Sequence, residues 1–438
     1  MSTLDWIAGD ALGLQIPAHA AALRAGGEDF LTTAFRATGA LGAENRVTRI
    51  TRFEETLAGG TGRKVILAVE YAKPAPELHT ELFVKFSRDF ADPMRDRSKH
   101  LMESEVRFAL LSRRPAFPVA VPTCLFADYH EASGTGILIT QRIAFGANGI
   151  ERAYDKCFDY AMPEPLAHYR ALLTTNARLA GSHRGGRLTD DIDELFPFDA
   201  RALLVSDRIP YNASQLTKKI ARLVDFAARF PQLLPRHLTS HEFLSQLAHD
   251  APRFHAHEAA IKGFLHGKPE LIALCHWNAN IDNGWFWRAA DGVLQCGLLD
   301  WGRVNQMSIA QAIFGALCAA ETQLWDDHLD ELLLLFVTEF RAAGGPAIDA
   351  DELKFHLQLF TALTGIAWIM DAPSIVQAQV PELAQIHDRY DPRFTANALA
   401  RVQLQLLTAF LNAWQTQRFG TVLDRFLQLT QPASALTS

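Results

Sequence analysis

Cysteine is scarce in this 438-residue chain, which has only Cys124, Cys157, Cys275, Cys296 and Cys318, none at C-x-x-C spacing. An odd count without close pairs excludes a disulfide framework and a cysteine-rich zinc site, and reads as reduced, buried thiols in a cytoplasmic protein. Long apolar runs are missing too. Leu332 to Val337 is the longest obvious one, far short of the roughly 20 residues that span a bilayer. The opening MSTLDWIAGDALG has neither the basic nor the apolar stretch of a signal peptide. There is no basic excess: the net charge is −7, so neither nucleic acid nor an anionic membrane surface is an expected partner. No G-x-S-x-G elbow is present for an acyl-transfer serine. The HAHE run, His255 to Glu258, puts its histidines on different faces of any helix, and no H-E-x-x-H follows, so it reads as surface helix rather than metal site. What remains is an ordinary soluble composition, 49% hydrophobic and 21% charged. The length exceeds the roughly 250–300 residues of a single core, so two or three domains are expected.

The first third reads as strands around one turn. A helix over 29–42 ends at glycine. Arg46 to Leu57 alternates and is rich in β-branched residues, and Lys64 to Tyr71 (KVILAVEY) is a second strand. Between them Gly59, Gly60, Thr61 and Gly62 make a hairpin tip whose bare backbone could approach a phosphate. Glu81 to Phe86 (ELFVKF) is a third strand carrying Lys85, a cation that needs a partner inside an apolar run. Arg95 to Arg113 is helical, with Glu103 and Glu105 near its middle. Phe117 to Phe126 is a proline-broken approach to a strand, and Gly136 to Ile143 is the next strand. The period then turns helical, which places a domain boundary near residue 145. Helices are expected over Pro165–His183, Ala213–Phe230, His241–His266, Ile309–Ala320, His328–Ala343, Asp351–Met370 and Arg393–Arg425.

One stretch interrupts the helices. Leu274 to Arg303 reads as a strand end, a polar loop HWNANIDN, a strand over Gly284–Arg288, a turn at Ala290-Asp291-Gly292, and a strand over Val293–Leu299 that delivers Asp300. An Asn on the loop and an Asp at the end of the hairpin bring two hard oxygen ligands to one sheet edge, the donor set a magnesium nucleotide requires.

Read together, these parts resemble the aminoglycoside phosphotransferase and choline kinase-like family, over roughly Arg46 to Gly345. The catalytic loop of kinases reads H-x-D-x-x-x-x-N before a hairpin ending in D-x-G. His276, Asn283, Asp300 and Gly302 fall in those places, and Asn278 falls where the catalytic Asp belongs. The resemblance implies an α+β, two-lobed protein-kinase-like fold. Residues 1–145 would be a small antiparallel-sheet lobe with a leading helix and one packed helix, and 146–438 a mainly helical lobe. It implies ATP and Mg²⁺ as cofactors, with Gly59, Gly60, Thr61 and Gly62 over the phosphates. Lys85 would be the phosphate lysine and Glu105 its helix partner, with Glu103 the alternative. Gln141 to Ile143 would meet the adenine, and Asn283 and Asp300 would hold magnesium. Leu179 to His183 resembles the family's L-x-x-L/M-H helix end, from which Ser182 departs. Catalysis would fall to His276, to Asn278 orienting the acceptor through its amide, and to Asp282 as a substitute carboxylate. A neutral amide cannot take up the acceptor's proton at neutral pH. Phosphoryl transfer, however, rests mainly on positioning and charge neutralisation. The implied function is an ATP-dependent phosphotransferase acting on a small-molecule acceptor, a hydroxyl or an already acidic oxygen. The alternative is a nucleotide-binding pseudokinase. Trp277, Trp285, Trp287, Trp301, Trp325 and Trp368 suggest a hydrophobic or aromatic acceptor.

Overall fold

The computed structural model describes residues 5–56, 62–201 and 208–431. By compactness the chain divides into two units. The first is Met1–Ala153 with Leu188–Phe196 and Asn283–Asn305, and the second is Tyr154–Arg187, Pro197–Asp282 and Gln306–Ser438. The hairpin after Asn283 thus groups with the first unit rather than with the helical remainder.

The first unit is built on an antiparallel sheet. After a short hairpin of β1 (Trp6–Ala8) and β2 (Gln15–Pro17) come β3 (Val47–Thr56), β4 (Lys64–Tyr71), β5 (Glu81–Phe86), β6 (Cys124–His130) and β7 (Thr135–Gln141). Their order is β3-β4-β5-β7-β6, antiparallel throughout. Strand alternation decides the faces. Val65, Leu67, Leu82, Val84, Ile137 and Ile139 point to a core completed by Leu23, Phe30, Leu31 and Phe35 of helix α1 (Ala20–Ala37). Ala127, Tyr129 and Leu138 point the other way, onto Met102, Val106 and Ala109 of helix α2 (Arg95–Leu111).

This corrects the expectation of one packed helix, because α1 covers the opposite face. The reason is that β4 and β5 carry apolar residues in the positions that α1 covers, so that face must also leave water. The helix also begins earlier than position 29. His19 caps this earlier segment by accepting from the Ala22 amide at 3.2 Å, and Gly27, with φ 52° and ψ −142°, separates it from the helical segment that follows. At its edge, β3 shifts register twice and is largely exposed, which blunts an otherwise open strand. The β1–β2 turn, unseen from sequence, is held by Asp128 of β6, whose buried carboxylate accepts from the Ala11 and Leu12 amides at 3.0 and 3.2 Å. The hairpin of β9 (Gly284–Arg288) and β10 (Leu294–Leu298) also belongs to this unit.

The second unit is mainly helical, opening with α3 (Pro165–Arg184) and including the short strand β8 (Ile272–Cys275) that leads to the polar loop. Two expected long helices are broken. His241–His266 becomes His241–Ala256 and Glu258–His266, with His257 non-helical between them. Arg393–Arg425 becomes Pro392–Ala396, Ala398–Thr416 and Phe419–Thr430. Asn397 ends one helix and caps the next by accepting from the Ala400 amide, and Arg418 adopts φ 51°. Periodicity runs across such breaks, whereas capping is local. No single helix among the described residues is long and apolar enough to cross a membrane.

Candidate functional site

Alternation along β5 turns Lys85 away from the α1 core and toward α2. There it is buried and donates to Glu105 Oε2 at 2.6 Å and to Asp300 Oδ1 at 2.7 Å. The Lys85 and Glu105 side chains are 4% and 7% exposed and that of Asp300 41%, so Asp300 is the arm of the cluster open to solvent. Burial works against the Lys85 ammonium, and its two carboxylate partners outweigh it, holding the lysine above its ordinary pKa. Glu103, the alternative partner, pairs instead with Arg107 one helical turn on.

Asp300 is positioned by its own backbone and by its neighbour. Its φ of 59° lies in the left-handed region, a conformation that costs a non-glycine residue of order 1–3 kcal/mol and concentrates at functional sites. Trp301 anchors the turn. Its indole N–H donates to the Leu298 carbonyl at 2.9 Å, and its ring stacks on Phe108 of α2 with centroids 3.8 Å apart. At this same open end of the hairpin the Leu299 amide donates to the Asn283 carbonyl at 2.7 Å, which sets Asn283 opposite the residue before Asp300. Asn283 is 9% exposed.

Gly59, Gly60 and Thr61 lie outside the described residues. Gly62 is described, and its glycine is required. Its φ is 97°, and a Cβ there would lie 2.1 Å from the Phe86 carbonyl oxygen. Gly62 thus lies directly against the residue that follows Lys85. Gln141 ends β7, with its amide donating to the Thr123 carbonyl and its side-chain oxygen accepting from the Thr123 hydroxyl at 3.2 Å. Ile143 is buried. One feature escaped sequence reasoning: β4 begins with Lys64, whose register partner on β5 is Lys85. Strand alternation carried on across the glycine turn was the signal available for it.

In the second unit the loop after β8 is organised by hydrogen bonds among neutral groups. His276 is fully buried, and its Nδ1 accepts from the Asn278 amide at 3.0 Å. The Asn278 side-chain oxygen accepts from the Asn280 amide group at 2.7 Å, and Asn280 is itself buried. Asp282 faces Lys156, 3.8 Å away. Trp277 meets Trp368 edge to face, with centroids 5.1 Å apart and Trp368 40% exposed. Gly315 is needed beneath the loop, since a Cβ there would lie 1.7 Å from the Trp277 carbonyl oxygen. His255 of the HAHE run is used locally, its Nε2 lying 2.8 Å from the Tyr211 carbonyl.

The donor set suits magnesium. Asn283 and the exposed Asp300 carry hard oxygen donors, and magnesium commonly takes one or two carboxylates and completes its shell with phosphates and water. Among the described residues no group of three or more His, Cys, Asp or Glu side chains could hold a metal. An ion here would therefore depend on its substrate for the rest of its shell.

No protein-family model and no curated protein matches the chain. Among solved structures it is similar to a choline kinase from Cryptosporidium parvum Iowa II, at 13% identity and a TM-score of 0.41, covering 86% of this chain and 92% of that one. A choline/ethanolamine kinase family protein from Mesorhizobium loti aligns at 13% identity and TM-score 0.40, covering 90% and 98%. A spectinomycin phosphotransferase in complex with ADP and spectinomycin aligns at 10% identity and TM-score 0.39, covering 85% and 93%.

Proposed function

We propose that this chain is a small-molecule phosphotransferase of the choline kinase and aminoglycoside phosphotransferase-like kind, using a magnesium-bound nucleoside triphosphate, ATP, as donor. The observation that carries the reading is Lys85, buried between Glu105 and the solvent-open, left-handed Asp300. A lysine paired this way is a preformed point charge for phosphate oxygens, and Glu105 keeps it aimed when Asp300 turns to a metal. Magnesium, when bound by Asn283 and Asp300, supplies neutralisation of the charge on the transferred group. Gly62 allows the hairpin to approach closely where a side chain would block it.

The acceptor oxygen forms a bond to phosphorus while the bond to the bridging oxygen of the donor breaks. The acceptor proton leaves to water or to a phosphate oxygen, because Asn278 cannot take it. Asn278 orients the acceptor instead. Asn280 occupies its carbonyl oxygen, so its amide face is set before the acceptor arrives. Trp277 and Trp368 offer an aromatic wall beside that loop, which favours a small hydrophobic or ring-bearing acceptor.

The test is the metal dependence of binding. Asp300→Ala should weaken the Mg-nucleotide complex about tenfold or more by calorimetry and leave metal-free nucleotide binding little changed. Equal losses with and without magnesium would make Asp300 a structural residue and overturn its metal role. Coupled detection of ADP across a broad panel of alcohols and carboxylates then checks transfer. Binding without any turnover would reduce the protein to a nucleotide-binding pseudokinase.

A further inference from the structure

Lys64 stands directly opposite Lys85 in the β4–β5 ladder. Residues so paired project from the same face of the sheet with Cβ atoms about 4.5–5.5 Å apart. The Lys64 side chain therefore rises on the face where Lys85 meets Glu105 and Asp300. Like charges set directly across a ladder destabilise it, so two lysines here require anions close by. The position is half-buried, and burial together with Lys85 lowers the Lys64 pKa while Asp300 and Glu105 oppose them. Nor can the backbone carry Lys64 aside. Gly62 is wedged against the Phe86 carbonyl, and the Phe86 amide donates to the Arg63 carbonyl at 2.9 Å, fixing the chain just before Lys64.

Lys64 and Lys85 thus put two cations on the face of the sheet that carries Glu105 and Asp300. We propose that Lys64 is a second phosphate-contacting cation, which with Lys85 holds the polyphosphate of a nucleoside di- or triphosphate from both strands of the hairpin. This rests on the donor reading above and adds to it a residue that no phosphate motif marks.

Calorimetry of the full chain with Mg-ATP, Mg-ADP, adenosine and pyrophosphate tests it, comparing wild type with Lys64→Met and Lys64→Arg. Lys64→Met should weaken Mg-ATP and Mg-ADP about tenfold or more, as loss of a charged hydrogen bond does, and leave adenosine unchanged. Lys64→Arg should stay within a few-fold of wild type. Without ligand, a thermal melt checks that Lys64→Met remains folded. If that variant does not fold, Lys64→Gln takes its place. Unchanged Mg-ATP binding in the neutral variant overturns the inference while leaving the donor reading intact, and so does an equal loss for adenosine. If wild type binds pyrophosphate but no nucleotide, the donor reading falls and the inference, which rests on it, falls with it. If wild type binds neither, both fall.

Discussion

The Lys85 cluster of the first unit and two sites of the second treat buried polar groups in opposite ways. In the first, the buried lysine is an ion: Lys85 sits between two carboxylates, and the pairing holds its pKa up. In the second, burial pushes His356 and Asp159 toward their neutral forms. His356 is fully buried, with neither ring nitrogen hydrogen-bonded among the described residues, and its pKa falls to about 4 through burial, Lys268 and His266. Asp159 is pushed up to about 6, mainly by burial, beneath the Tyr169 hydroxyl. The loop at Asn278 continues the pattern, with one side-chain amide bonded to another. Charge is kept where it has fixed partners and can meet another charge. Elsewhere the fold removes it, because an unpaired buried ion costs more than a neutral group.

The sharpest way to break this contrast is Lys85→Met. It strands the buried Glu105, and loss of one partner from a buried pair costs about 3–5 kcal/mol. Denaturant unfolding should show a loss of that size, largely recovered in the double variant with Glu105→Gln. A loss below about 1 kcal/mol would mean that the pair is not an ion pair in the folded protein.

His356 tests the other side. Its folded pKa, about 4, lies below the ordinary 6.5, so its contribution to stability is fully present above pH 6.5. As the pH falls from 6.5 toward 4 the unfolded chain takes up a proton that the folded ring refuses, and about 3 kcal/mol is lost. Asp159 acts in the opposite sense, since its folded form takes up a proton first as the pH falls through about 6. His356→Phe should therefore remove the acid loss while leaving the Asp159 gain, seen as a flatter or rising stability curve between pH 6.5 and 4. An unchanged curve would show that His356 does not titrate in that window.

A smaller effect is expected at Asn278→Asp. Asn280 already points a donor at this position, so a carboxylate is accommodated and nucleotide affinity should hold. Transfer to alcohol acceptors should rise by about 10²-fold, the lower end for a general base. A slower native reaction would instead identify an acidic acceptor, facing a new anion. No turnover by either form would leave the loop without catalytic use.

Much of the first unit was legible in its sequence because strand alternation and turn chemistry are local. The strands Lys64–Tyr71, Glu81–Phe86 and Gly284–Arg288 lie where their patterns put them, and the Asp-Gly turn closes the hairpin. The need of Lys85 for a partner was equally readable, since a cation in an apolar strand must be compensated. The choice of Glu105 over Glu103 was not. Both sit on one helix, and only the rotation of α2 against the sheet turns Glu105 inward and leaves Glu103 to Arg107. Helix breaks at His257 and Asn397 escaped for a related reason: the apolar period continues while the backbone changes direction to fit its neighbours.

By itself the sequence determined the antiparallel strands, the change to helical periodicity, and the presence of an Asn and an Asp flanking a hairpin. Tertiary structure alone decided which face of the sheet each charge occupies, that Lys64 opposes Lys85, and that Asp300 takes a left-handed backbone with Trp301 stacked on α2. Local preferences are summed along the chain and can be read there. Burial and charge pairing depend on residues far apart in sequence, such as Lys85 and Asp300, which meet only when the chain has folded.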